Sequence, residues 1–267
     1  MKAFDNFFDA DDVSGSDIIM DRALPFVHSA KSRSAQDILK EKKLQKRPCG
    51  TFNEELVYFF YGRPAYRNAD NELSSDDGLL PVVFIIEPAF VDITKVYPFD
   101  TGAFDMYRPT YLSNSSELSD YEMPNDLLRI QQYVKAMCGD GHKYFAGVYR
   151  DRSELPASIK TLCKMNHCLN DLVKLLTSEA RDAIDDRSLT VEVITNGDVD
   201  ISGKLLAVVA PEFYRGDRVL AEVVRDTGAK KYYYEYFRRH KVQDYVNDVF
   251  MKVKDYYYDY NYLERVS

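Results

Sequence analysis

The stretch from Glu55 to Arg67, ELVYFFYGRPAYR, decides how the chain is read. Its apolar and aromatic run, residues 56–61, predicts a strand heading into a core. Gly62 then lets the backbone leave the strand sharply, and Pro64 cannot donate to a ladder. The strand therefore ends in a cationic and aromatic tip, Arg63, Tyr66 and Arg67. One account of the tip is a hairpin end whose arginines pair with nearby acids such as Asp70 and Glu72. The other is an anion site, because a guanidinium fork can engage two phosphate oxygens at once.

Working outward, residues 24–27 predict a short strand, and a helix follows over residues 34–44, with Ser34 as N-cap and Ala35, Ile38 and Leu39 on one face. Downstream of the quoted stretch, an Asn/Asp/Ser-rich loop leads to LLPVVFII, a continuous apolar run that reads as a central strand. Residues 96–123 lack a clean period and read as a long ordered loop. Leu127, Ile130, Val134 and Met137 give a helix over 126–137. Leu162, Met165, Leu169, Leu172 and Leu176 give a second over 156–180, with HKYFAGVY as a strand between them. SLTVEVIT and KLLAVVAP read as strands, residues 218–226 as a short helix stopped by Gly228, and residues 237–254 as the last helix.

Strands toward both ends with helices between them predict an α+β fold and not a doubly wound one. No G-x-G-x-x-G or Walker loop occurs, so any nucleotide must be held by another scheme. The chain has 267 residues, 45% hydrophobic and 29% charged, which suits one large folded domain with a small appendage. Its formal net charge of −8 disfavours phosphate backbones except at a local basic patch. The acidic start, residues 1–20, reads as an arm or irregular cap. Without an apolar run of membrane-spanning length, the expected location is cytoplasmic, with no membrane partner. Four scattered cysteines argue against a disulfide framework. Cys163 and His167 stand four apart on a helix, but a second ligand pair is missing, so no metal is expected.

Three positions carry candidate chemistry. His28, at the end of the first strand and followed by Ser29, can bond a ribose hydroxyl; a rim histidine is the plain alternative. Glu192 alternates with Val191 and Val193, so it faces away from them, either into solvent or into a cleft where it offsets charge on an oxocarbenium-like centre. Glu212, in VAPEFY, is the rival carboxylate.

In order, HSA, AQDILKEKKL, LVYFFYGRPAYR, YPFDTGAF and then LTVEVIT with LLAVVAP, the chain resembles the ADP-ribosyltransferase fold, closest in look to bacterial DNA-targeting and defence transferases. The resemblance implies two antiparallel sheets forming a cleft with flanking helices. It divides the chain into an acidic arm (1–20), a NAD-binding transferase-like domain (21–230) and a Tyr-rich helical extension packed on it (231–267). It implies NAD as substrate, with His28 and Ser29 on the nicotinamide-side ribose and the 34–44 helix flanking the nicotinamide. Tyr61 would be the stacking partner, Arg63 the arginine that follows the aromatic strand, and Glu192 the carboxylate that promotes transfer, while the guanidinium forks of Arg63 and Arg67 suit the pyrophosphate. The catalytic set is then His28, Arg63 and Glu192.

The implied function is transfer of ADP-ribose to a macromolecular acceptor, DNA, RNA or protein, in a toxin or anti-phage setting with an inhibitory protein partner. VEVIT lacks the Gln or Glu two residues from the glutamate that marks the arginine-modifying branch. A NAD glycohydrolase keeps the same cleft without the acceptor. A non-catalytic interaction module is the third reading, motivated by 21 tyrosines, many in KKYYYEYFRRHK and KDYYYDYNY. Those stretches suit packing or a protein interface better than base stacking, because Asp255, Asp259 and Glu264 dilute their charge.

Overall fold

The computed structural model describes residues 2–15, 22–65, 72–177 and 186–265. In chain order the elements are α1 (Asp11–Ser14), β1 (Phe26–Lys31), α2 (Ser32–Glu41), β2 (Lys43–Leu44), β3 (Arg47–Cys49), β4 (Glu54–Tyr61), β5 (Pro81–Ile86) and β6 (Lys95–Tyr97). Next come α3 (Phe104–Tyr107), α4 (Leu127–Cys138), α5 (Gly141–Phe145), α6 (Ala157–Met165), α7 (His167–Thr177) and β7 (Glu192–Thr195). The last are β8 (Val199–Asp200), β9 (Leu205–Pro211), α8 (Arg218–Thr227), β10 (Lys230–Tyr234) and α9 (Val246–Asp259). The fold is mixed α+β, with mostly antiparallel pairing and flanking helices. The chain divides into two compact units, Met1–Ala23 with Ile93–Val193, and Leu24–Asp92 with Ile194–Ser267.

The first unit is mainly helical. Residues 2–15 pack as an irregular cap: Phe4, Phe7 and Phe8 are buried, and Phe4 and Phe7 meet Tyr133 of α4 with ring centroids 5.8 and 6.2 Å apart. Two predictions change here. The first half of HKYFAGVY, residues 142–145, is helical in α5, whose start Asp140 caps by accepting from the Lys143 N–H at 2.8 Å, and residues 146–149 form no strand. The expected helix over 156–180 is two helices that break at Asn166. Its amide donates to the Lys2 carbonyl at 2.7 Å, and its Oδ1 accepts from the Leu169 N–H at 3.1 Å, so one side chain ends α6 and starts α7. Residues 178–180 of that prediction lie outside the described residues.

The second unit is built on a sheet in the order β10-β9-β5-β1-β4, with β3 on β4. β5 is buried along its whole length, as LLPVVFII predicted. β1 pairs with it from Phe26↔Ile86 to Lys31↔Pro81. β9 and β10 run parallel, and β2 with β8 forms a separate two-stranded ribbon. α2 packs against β1, β5 and α8, whereas α9 covers β9 and β10. His28 is the third residue of β1 and not its end. α2 starts at Ser32, two residues before the expected cap; Ser34 lies in its first turn, and Lys42, at φ 51°, closes it. The last helix starts later than expected, at Val246, after a single-turn 3-10 helix Val242–Tyr245.

Candidate functional site

β3 and β1 pair with different parts of β4. Glu54, Glu55 and Leu56 pair with β3, and Phe60 and Tyr61 pair with β1. Residues 57–59 lie between the two ladders. On the other strand, the β1–β4 ladder stops after Val27↔Phe60, while β1 continues on β5 for four more residues. The strands part, and a cavity of about 240 Å³ opens at the gap. It is lined from β1 by His28, Ser29 and Lys31, from α2 by Ser34, Asp37 and Glu41, from β3 by Arg47 and from β4 by Tyr58.

His28 spans the parted strands: its Nδ1–H donates to the Tyr58 carbonyl at 2.8 Å. That bond fixes the neutral tautomer and leaves Nε2 as an acceptor. Burial pushes the His28 pKa below the ordinary histidine value, against the bond to the Tyr58 carbonyl, which raises it. The Ser29 Oγ is buried and has no hydrogen-bond partner. A buried hydroxyl in that state is costly unless something else satisfies it. His28 and Ser29, expected together at a ribose, do line one cavity.

The depressed His28 pKa gives a signed expectation for stability. The folded state binds fewer protons than the unfolded one below about pH 6.5, so stability is full above that value and falls as pH drops toward the folded-state pKa. Urea melts of wild type and His28→Gln between pH 5 and 8 test this. The wild type should lose its midpoint on the acid side, and the variant should lose less.

The remaining expected residues lie elsewhere. Tyr61 is fully buried; its hydroxyl accepts from the Leu24 N–H at 3.0 Å, its ring packs near Phe26, and burial raises its pKa. Arg63 is 3% exposed, with its guanidinium 5.3 Å from the Phe250 ring centroid, and does not line the cavity. Tyr66 and Arg67 lie outside the described residues. Glu192 begins β7 in the first unit. It is 2% exposed, so it does not take the solvated side of an alternating strand; all four residues of β7 are buried. Its Oε2 accepts from the Thr101 N–H at 3.2 Å. Glu212 is ion-paired with Arg215 and, with Phe213, Glu235, Tyr236, Phe237 and Arg238, lines an open surface groove.

Sequence reasoning missed Arg47, Tyr58, Asp37 and Glu41. Asp37 and Glu41 carry a readable signal: they are four apart on the helix that follows His28, so they share a face. Arg47 carries none, because its place depends on β3 turning back onto β4. Tyr58 also donates its hydroxyl to the Cys49 Sγ at 2.6 Å. Against burial, which raises it, that bond and the Thr51 and Phe52 backbone hold the Cys49 pKa below the ordinary thiol value. Of the tail tyrosines, Tyr234, Tyr245, Tyr256, Tyr257 and Tyr262 are buried. Among the described residues, no group of three or more His, Cys, Asp or Glu is placed to hold a metal, and no helix is long and apolar enough to cross a membrane. Compared with known proteins, the chain matches no family model and no curated sequence.

Proposed function

We propose that the chain cleaves NAD at the nicotinamide–ribose bond and transfers ADP-ribose to a macromolecular acceptor, with the nicotinamide-ribose end held in the cavity between β1 and β4. The observation that supports this most is the parting of the two strands at His28. A neutral imidazole offers Nε2 to a ribose hydroxyl, and the orphaned Ser29 hydroxyl lies in the same wall. Beyond Val27↔Phe60 the facing strand edges have no ladder with each other, so their backbone groups suit an amide such as the carboxamide of nicotinamide. The volume, about 240 Å³, falls just under the usual range of roughly 300–1,000 Å³ for ligand sites. It suits a nucleoside-sized end of the molecule, with the rest outside.

Bond cleavage builds positive charge at the anomeric carbon, which a carboxylate offsets. The resemblance assigns that role to Glu192; Asp37 and Glu41 are the carboxylates that line the cavity itself. A toxin or anti-phage role, and an inhibitory partner, belong to the same proposal.

Two measurements test it. NAD at a hundred times its dissociation constant should stabilise the protein by about 2.7 kcal/mol in a thermal-shift scan, and His28→Ala should abolish most of that response. Incubation with labelled NAD should release nicotinamide and label protein, DNA or RNA. Nicotinamide release with no labelled macromolecule would make the protein a NAD glycohydrolase. A flat thermal response at millimolar NAD with no release would sink both enzymatic readings and leave the interaction module.

A further inference from the structure

We infer that Arg47 forms a phosphate subsite at the cavity, so that the ligand it selects carries a phosphate on the ribose whose hydroxyls face His28 and Ser29. This rests on the NAD reading and names the residue that reads the dinucleotide's phosphate. On the sequence alone that role fell to Arg63 and Arg67. Arg63 is buried against Phe250, and Arg67 lies outside the described residues.

Three cationic side chains beyond His28 line the cavity: Lys31, Lys43 and Arg47. Lys31 is in an ion pair with Glu72, and Lys43 with Asp198 at 3.4 Å. No carboxylate among the described residues pairs with Arg47, which is exposed. Its backbone is nonetheless fixed, because Arg47 is the first residue of β3 and sits opposite Leu56 of β4 in the ladder. A strand-borne arginine with an uncommitted fork is suited to two phosphate oxygens, whereas the two lysines would have to give up a carboxylate first.

The acidic residues of the same wall fit the other half of the ligand. Glu41 accepts from the Gln45 amide, and Asp37 is one helical turn before it on α2. Carboxylates repel phosphate but accept from sugar hydroxyls, so the cavity is polarised: ribose toward His28, Ser29 and α2, phosphate toward β3. Neither the ADP half nor an acceptor is needed for this part of the recognition.

Nicotinamide riboside and nicotinamide mononucleotide differ only in that phosphate, which makes them the probes. Isothermal titration of the wild type should show the mononucleotide binding more tightly than the riboside. Arg47→Ala should weaken the mononucleotide about ten- to hundred-fold, the range for losing a charge-assisted hydrogen bond, and leave the riboside where it was. Arg47→Lys should recover part of the loss. Lys31→Ala is the control, expected to weaken both ligands alike or neither. If wild type binds the two probes equally, or if Arg47→Ala weakens both to the same extent, the phosphate subsite is wrong while the NAD reading survives. If neither probe nor NAD binds, both fall together.

Discussion

Gly62→Ala should cost the second unit about 2–5 kcal/mol. Gly62 has a φ of +66°, and a left-handed residue with a Cβ costs roughly 1–2 kcal/mol. In addition, an added Cβ would sit 2.6 Å from Leu24 Cδ1 and 3.1 Å from Leu24 Cβ, and Leu24 is itself 1% exposed, so the core must yield. Overpacking of that kind adds about 1–3 kcal/mol. The same residue is tied on both sides: its N–H donates to the Pro25 carbonyl at 2.9 Å, and its carbonyl accepts from the Tyr257 hydroxyl at 2.8 Å. It therefore cannot relax by swinging the turn outward.

Gly203 provides the comparison, since it has a φ of +77° and open space where a Cβ would go. Gly203→Ala should show the backbone strain alone, about 1–2 kcal/mol. Gly50→Ala, at a position with open space and no left-handed φ, should be near neutral. Urea midpoints for the three variants check the series. Equal losses for Gly62→Ala and Gly203→Ala would show that Leu24 gives way freely and that the clash contributes nothing.

That glycine also marks what could and could not be read from the sequence. ELVYFFYG gave a strand and its stop, because an apolar run, a glycine and a proline are local signals. α4 and α8 were legible for the same reason: Asp126 and Asp217 cap their starts through the Leu128 and Leu220 N–H groups, and Gly139 and Gly228 end them. The elements that were misread depend on distant partners. Asn166 breaks a well-patterned helix because the Lys2 carbonyl is within reach of its amide, and residue 2 is far away in sequence. α5 carries Tyr144, whose hydroxyl accepts from the Val191 N–H at 3.0 Å, a contact no window of sequence contains.

The candidate site divides in the same way. His28 and Ser29 were legible as adjacent polar residues on an apolar strand. The cavity was not, because it exists only where β4 changes partners from β3 to β1. From its charge, the quoted arginine tip reads as a hairpin end paired with nearby acids or as an anion site. Arg63 instead goes inside, where the Phe250 face compensates part of the lost hydration.

On the proposed NAD-cleaving reading, in which the resemblance gives Glu192 the promoting role, Glu192→Gln should fold like wild type and release nicotinamide about 10²–10³-fold more slowly, the range for removing one preorganised charge-stabilising group. The substitution isolates charge from structure. Glu192 is held inside the first unit by the Thr101 N–H, and Asp100, the residue before it, is fixed through its own N–H to the Arg187 carbonyl at 3.0 Å and an ion pair of 3.5 Å to the Arg187 guanidinium. A glutamine keeps an acceptor for Thr101, so stability should change little. Glu192→Ala leaves that buried N–H unpaired and should cost about 1–3 kcal/mol whatever the residue does in chemistry. A purely structural glutamate would therefore show its effect in the alanine variant and not in the glutamine variant. A catalytic one shows rate loss in both and stability loss only in alanine. Glu41→Gln, measured beside them, should bind NAD more weakly with an unchanged maximal rate, since its place is on the ribose wall of the cavity. If Glu41→Gln stops turnover and Glu192→Gln does not, the promoting carboxylate is on α2, and the role of Glu192 is structural.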